Sequence, residues 1–259
     1  QSGSATLAER CTGRSAYTRK DGRCWNSDCE FDTLRDPDAS TDRPVDVGMG
    51  WSGLSHSGQV RPNNEDTFIA LEFDGKEAHY LGKLGEGSLA KTDFVFSVSD
   101  GMGGAKAGEF ASRITRDKIT HLLPKGFRTA APGPQSGYDR ILDELFHEIH
   151  DDLLKLGDSY EECHGMGTTL SLAWLTPGWM YFGHIGDSRI YHLPPGGGLH
   201  QITHDHGHAG WLRRNGRINE REARAHPMRN ALHQALGAGH QIIHPQFGAL
   251  PCVPGDRYL

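Results

Sequence analysis

Phe94-Val95-Phe96-Ser97-Val98-Ser99 runs without a break into Asp100-Gly101-Met102-Gly103-Gly104. The aromatic and β-branched run reads as a buried strand, and the glycines behind it read as a sharp change of direction. A strand that ends this way carries one carboxylate, Asp100, to the rim of a sheet. Carboxylate and carbonyl oxygens held there suit a hard divalent cation such as Mg²⁺ or Mn²⁺. Gly101 has no Cβ, so its carbonyl can approach such an ion without steric penalty. An Asp-Gly pair after a strand is more often a plain turn. The segments on either side decide the reading.

Upstream lies Ser57-Gly58-Gln59-Val60-Arg61-Pro62-Asn63-Asn64-Glu65-Asp66, followed by the apolar-rich Thr67-Phe68-Ile69-Ala70-Leu71. Downstream, Tyr181 to Ile185 reads as another strand, and it runs into Gly186-Asp187-Ser188-Arg189. Three acidic sites associated with strands, with an arginine beside the first, suggest a metal pair that holds a phosphate. The ordered set resembles the metal-dependent serine/threonine phosphatases of the 2C type, the PPM family. It comprises Arg61-x-x-Asn64-Glu65-Asp66, Asp100-Gly-Met-Gly-Gly with Gly108-Glu109-Phe110-Ala111-Ser112, and Gly165-Met166-Gly167-Thr168-Thr169. Gly186-Asp187-Ser188-Arg189 and Thr203-His204-Asp205-His206 complete it. The motifs keep the family's order from about residue 49 to the last residue.

The resemblance implies an α+β fold of two packed antiparallel β-sheets flanked by α-helices. The pattern along the chain agrees. Gly108 to Leu123 reads as a helix with Phe110, Ile114, Ile119, Leu122 and Leu123 on its buried face. A second helix runs from Tyr138 to about Leu156, with apolar residues from Ile141 to Leu154 at three- and four-residue spacing. Thr168–Trp174, Trp179–Ile185 and Ser188–Leu193 read as successive strands. Residues 1–46 are polar and poor in large apolar side chains, which predicts a disordered leader; residues 47–259 form the phosphatase-like domain. Asp205 to His226 is polar and resembles the family's flap, a variable segment beside the active site.

Composition narrows the function. The chain has 259 residues, 27 Lys+Arg against 33 Asp+Glu, and a net charge of −6. That balance argues against a nucleic-acid binder driven by a general basic surface. No apolar run approaches the ~20 residues of a membrane span. Five cysteines are an odd number and too few for a disulfide scaffold, so a reducing cytoplasm is the expected setting. Cys11, Cys24 and Cys29 fit no standard zinc spacing.

Phosphate monoesters resist attack because their negative charge repels a nucleophile. Two cations about 3.5–4 Å apart can clamp the phosphoryl oxygens and lower the pKa of a water. The expected direct ligands are Asp66 and Asp100, with the Gly101 carbonyl beside them. Glu65, pointing to the opposite face of its strand, is expected to act through a bound water. By resemblance Arg61 grips phosphate oxygens with its planar fork. Asp187 matches the position of a third, weaker metal, and the competing reading is a turn aspartate bonded to backbone or to Arg189. Met102 stands where many eukaryotic members carry a histidine as candidate general acid, and methionine is typical of bacterial-type members. His204, His206 and His208 alternate as zinc ligands can, but Thr203-x-Asp205-His206 matches a family scaffold segment, which is the preferred reading. There is no Gly-x-Ser-x-Gly elbow and no Walker loop.

The resemblance therefore implies a Mn²⁺- or Mg²⁺-dependent protein phosphatase, acting on phosphoserine and phosphothreonine in protein substrates and partnered by a cognate serine/threonine kinase. In the family, further metal-binding aspartates lie in an Asp-Gly and an Asp-Asn pair beyond the segment matching Gly255-Asp256-Arg257-Tyr258-Leu259. The expectation is thus a chain truncated at its C-terminus, with an incomplete metal shell. The alternative is a pseudophosphatase or a phosphoprotein-binding regulatory module.

Overall fold

The computed structural model describes residues 19–20, 23–24, 47–59, 64–74, 77–90, 92–103, 105–127 and 137–259. The chain divides into two units, Gln1–Ser40 and Thr41–Leu259. In the first, β1 (Arg19–Lys20) pairs antiparallel with β2 (Arg23–Cys24). The rest of the expected leader, with Cys11 and Cys29, lies outside the described residues.

The second unit begins with β3 (Gly48–Ser52), β4 (Asp66–Phe73), β5 (Ala78–Tyr80), β6 (Leu84–Ser88) and β7 (Asp93–Met102). Two long helices follow, α1 (Ala105–Phe127) and α2 (Tyr138–Ser159). Next come β8 (Gly167–Thr168), β9 (Leu170–Thr176), β10 (Trp179–Ile185), β11 (Tyr191–Leu193) and β12 (His200–Gln201). Two short helices, α3 (His208–Arg214) and α4 (Glu220–Ala225), precede β13 (Leu236–Gly237), β14 (Gln246–Pro251) and β15 (Arg257–Tyr258).

All named strand pairs are antiparallel. Strand β7 is the axis of the large sheet. One of its edges pairs with β4; the other is shared by β9 along Phe94–Val98 and by β8 at Gly101–Met102. Beyond β9 lie β10 and β14, beyond β8 lies β13, and β5 edges β4. The smaller pieces are the β3–β6 pair and the β12–β11–β15 sheet.

Alternation along the strands puts a core on each face of the large sheet. Ile69, Leu71, Val95, Leu172, Trp174 and Tyr181 pack with Ile119, Leu123, Ile149 and Leu153 of the two long helices. Phe94, Leu175, Met180 and Phe182 face the other way, against Trp51, Ile190, Ile202 and Tyr258. A sheet buried on both faces explains the nearly continuous apolar runs of β7, β9 and β10. The α+β architecture of antiparallel sheets and helices expected from the sequence is the one observed.

Helix α2 buries Ile141, Leu142, Leu145, Phe146, Ile149 and Leu153, as its periodicity predicts, while Leu154 is only half-buried. In α1 one expectation fails: Phe110 is 40 % exposed. The face that meets the sheet is Ala107, Ala111, Thr115, Ile119 and Leu123, four residues apart. Small side chains let the helix lie close to β7, and the larger Phe110 is turned about 100° away. Strand boundaries also shift. The expected strand Thr168–Trp174 is two strands, β8 and β9, and the strand expected at Ser188 begins only at Tyr191. Asp205 to His226 contains α3 and α4, the latter started by an Asn219/Glu222 capping box.

Candidate active site

Asp66 and Asp100 are register partners across β4 and β7. Directly opposed residues of an antiparallel pair share a face, with Cβ atoms about 4.5–5.5 Å apart. The two carboxylates therefore stand side by side, Asp66 exposed and Asp100 half-buried. They lie on the face that Phe94 and Phe96 bury further along β7, the one away from the helices.

Local hydrogen bonds hold this end of the sheet. Asn64 accepts from the Asp66 N–H through Oδ1 (3.0 Å) and donates to Ser55 Oγ (2.6 Å). The Gly101 N–H donates to the Glu65 carbonyl (3.2 Å). The Asp100 peptide is gripped on its other side. Its carbonyl accepts from the Thr169 N–H and from Thr168 Oγ1, both at 2.9 Å, and its N–H donates to Thr169 Oγ1 (3.0 Å). The Gly167-Thr168-Thr169 motif thus acts as a clasp on the backbone of Asp100. Its sequence signal was visible, but nothing in the residue types showed which peptide the threonines would hold.

Glycines make the join between strand and helix possible. A Cβ on Gly101 would lie 2.1 Å from the Gly108 carbonyl oxygen, so β7 and α1 meet backbone against backbone. A Cβ on Gly108 would lie 3.0 Å from Glu65 Oε2. The Glu65 carboxylate is therefore on the helix side of the sheet, opposite to Asp66, as adjacent residues of an extended chain require.

Asp187 sits in the loop after β10 and is exposed. Gly186 before it has φ 111°, and a Cβ there would strike Thr169 Cγ2 at 2.5 Å. The loop is tied to the Asp100 clasp through Ser188 Oγ and Thr169 Oγ1 (2.8 Å). Close surroundings and the Asp205 charge raise the Asp187 carboxyl above its usual range, against backbone N–H donation and Arg189. Arg189 itself is engaged by Asp205, through Nε to Oδ1 (2.8 Å) and Nη2 to Oδ2 (2.5 Å). Of the competing reading, bonded to backbone or to Arg189, the backbone bond is present, while the Arg189 fork goes to Asp205. Burial pushes the Asp205 carboxyl up, but the Arg189 bonds and charge outweigh it and hold it below the usual range.

His184 and His206 are bonded into the protein's own framework. His184 Nδ1 is bonded to the Ser171 hydroxyl (2.7 Å), and its Nε2 donates to the His204 carbonyl (3.1 Å). Burial lowers its pKa to about 4. His206 Nδ1 accepts the Gly186 N–H (3.3 Å), and burial with the neighbouring His184 lowers its pKa to about 3. His208 instead lies beside His226 and His233. Among the described residues no three His, Cys, Asp or Glu side chains form a group that could hold a metal ion.

Of the sequence-predicted site, Asp66, Asp100 and Gly101 are brought together, with Glu65 on the reverse face and Asp187 joined through Ser188 and Thr169. Arg61 lies outside the described residues. The donor set fits a hard cation: it is all oxygen, and like charges directly opposed on a sheet destabilise it unless something neutralises them.

Residues 84–227 match the family model for protein phosphatase 2C, more than half of the chain. The chain belongs to the protein phosphatase 2C family. Protein phosphatase PhpP of Streptococcus pneumoniae serotype 2 is 30 % identical over 217 residues, covering 82 % of this chain and 76 % of that one. The serine/threonine phosphatase of S. agalactiae has a similar structure, with a TM-score of 0.64 and 26 % identity over 82 % of this chain and 77 % of that one. The catalytic domain of the serine/threonine protein phosphatase PstP, in complex with two manganese ions, matches with a TM-score of 0.60 and 28 % identity, over 83 % and 76 % of the two chains. In this phosphatase 2C chain the family match takes in β7 and its Asp100, the Thr168-Thr169 clasp, Asp187 and the helices α3 and α4.

Proposed function

We propose that the chain hydrolyses phosphoserine and phosphothreonine in proteins with Mn²⁺ or Mg²⁺, as a pair, held at Asp66, Asp100 and the Gly101 carbonyl. Glu65 acts through a bound water, and Asp187 serves a third, weaker ion. The observation that carries this reading is the direct opposition of Asp66 and Asp100 at the glycine-rich end of β7. The two manganese ions in the PstP structure support it. When bound, such ions neutralise phosphoryl charge and make a deprotonated water available near neutral pH.

The chain's own residues do the rest. The Thr168–Thr169 clasp fixes the peptide of Asp100, so its carboxylate needs no reorganisation as charge develops. Arg61 grips two phosphoryl oxygens with its fork and orients the ester. Met102 has no proton to give, so the leaving alkoxide takes its proton from water. General acid help is worth about 10²–10⁴-fold where an enzyme has it, and poor leaving groups are expected to turn over slowly. The substrates are phosphoproteins, and a cognate serine/threonine kinase belongs to the same proposal. Among the described residues no helix is long and apolar enough to cross a membrane. A non-catalytic binding module has less support, because such a module has no need to keep Asp66 and Asp100 opposed.

Asp100→Asn tests the assignment. Mn²⁺-stimulated hydrolysis of a phosphothreonine peptide is expected to fall at least about 100-fold, with an unchanged circular dichroism spectrum. Calorimetry is expected to show a specific Mn²⁺ site in the parent chain that weakens in the variant. Full activity in the variant removes Asp100 from the site.

A further inference from the structure

Beside Asp187 the helices α3 and α4 and the turn after α4 enclose an open-sided cavity of about 150 Å³. At ~30 Å³ per water it holds about five, room for a carboxylate or phosphoryl group with part of its hydration. Its wall is mostly charged, and the charges do not cancel. Arg189 is spent on Asp205. Arg213 bonds to Glu220 and, through Nη2, to Gln201 Oε1 (2.8 Å). Arg224 Nε bonds to the same Glu220 (3.0 Å). One carboxylate thus serves two guanidinium groups.

A fourth arginine, Arg229, also lines the cavity. Arg229 is exposed, among the described residues its guanidinium has no carboxylate partner, and its backbone lies in a tight turn. The Arg229 N–H donates to the His226 carbonyl (3.0 Å), and the Ala231 N–H donates to Met228 (3.1 Å). Gly207, Gly210 and Ala223 keep the cavity floor free of large side chains. With Asp187 at its edge, the wall sets four guanidinium groups against three carboxylates, an excess of one positive charge.

We propose that the cavity is a subsite for an anionic side chain of the substrate protein, separate from the phosphate that is cleaved. The proposal rests on the phosphatase reading above and adds a selectivity to it. The location suits that role, because the cavity starts at Asp187, and its neighbour Ser188 reaches Asp100 through Thr169. A substrate whose phosphoresidue is at the Asp66–Asp100 end can lay neighbouring residues across the cavity, since an extended chain advances about 3.3–3.6 Å per residue. Asp, Glu or a second phosphoserine would each supply the same oxygen chemistry. The bidentate fork of Arg229 would hold a phosphoryl group more tightly than a carboxylate.

The experiment is fluorescence anisotropy with labelled phosphothreonine peptides whose flanks are neutral, glutamate-bearing or phosphoserine-bearing at one to five residues on either side. Mn²⁺ is present and the phosphothreonine is replaced by its non-hydrolysable phosphonate, so the peptide can be anchored and binding is read without turnover. The glutamate peptide is expected to bind about fivefold tighter than the neutral one in at least one register, and the phosphoserine peptide tighter still. Arg229→Gln is expected to bring all three within about twofold, whereas Glu220→Gln, which frees two arginines, widens the gap. Equal affinities in the parent chain, or a preference that survives in Arg229→Gln, overturn the subsite. Hydrolysis of the neutral peptide with Mn²⁺ is measured separately, so that absence of turnover counts against the phosphatase reading and leaves the binding result standing.

Discussion

Carboxylates are handled in two opposite ways at the two ends of the Thr169–Ser188 link. Asp205 is 8 % exposed and receives an arginine fork, a glutamine N–H and a place in a closed ion-pair network. Asp66, exposed, and Asp100, half-buried, are set opposite each other across paired strands. The first arrangement is complete without any outside ion. The second is the place proposed above for a cation.

The contrast can be broken first at Asp205. Asp205→Ala strands the Arg189 guanidinium, and chemical denaturation is expected to show a loss of about 3 kcal/mol, the low end for opening a largely buried pair. A loss below 1 kcal/mol would mean the pair is only decorative.

Acid sharpens the comparison at nearly the same scale. His184 is neutral in the fold with a pKa of about 4, against an ordinary value of 6.5. Below pH 6.5 the unfolded chain takes up a proton that the folded chain refuses, so stability falls as pH drops toward 4. Asp93 has the opposite sign. Burial raises it to about 6, against the hydrogen bonds it accepts from Trp174 and Tyr138. Between pH 6 and 3.8 the folded chain is therefore the better proton acceptor. Each group is worth about 3 kcal/mol over its window. Asp93→Asn is expected to steepen the loss of stability between pH 7 and pH 4 by about that amount. An identical slope in parent and variant would remove Asp93 from the balance.

The smallest effect belongs to the Asp66–Asp100 pair. Without metal, Asp66→Asn is expected to raise the unfolding free energy by up to about 1 kcal/mol, since it removes a like-charge opposition. With saturating Mn²⁺ the order is expected to reverse, which a pair of thermal melts can read.

These regions were not equally legible in the sequence. The runs Phe94–Ser99 and Trp179–Ile185 announced the sheet because burial on both faces leaves few polar positions to obscure it. The long α2 showed its stripe for the same reason. Helix α1 was misjudged at Phe110 because its contact face is built from alanine and threonine, whose value lies in close approach and not in apolar bulk. Asp66 and Asp100 could be chosen by residue type and motif, but their exact opposition depends on register, which is set over the whole length of β4 and β7. The Thr168–Thr169 clasp and the Arg189–Asp205 fork depend on long-range contacts, and no local pattern encodes them. The Asp187–Arg189 pairing failed for that reason: sequence proximity favoured it, and the fold supplied Asp205 instead.

The contact of Gly101 with Gly108 has one more consequence. With no side chain between them, the end of β7 and the first turns of α1 form a joint without upholstery, and nothing compressible separates helix from carboxylate strand. A tilt of α1, whether from a ligand on its outer face or from repacking around Ile119 and Leu123, reaches Asp100 without slack. The long helix is in that sense a handle on the site, and its exposed side is where a grip could be taken.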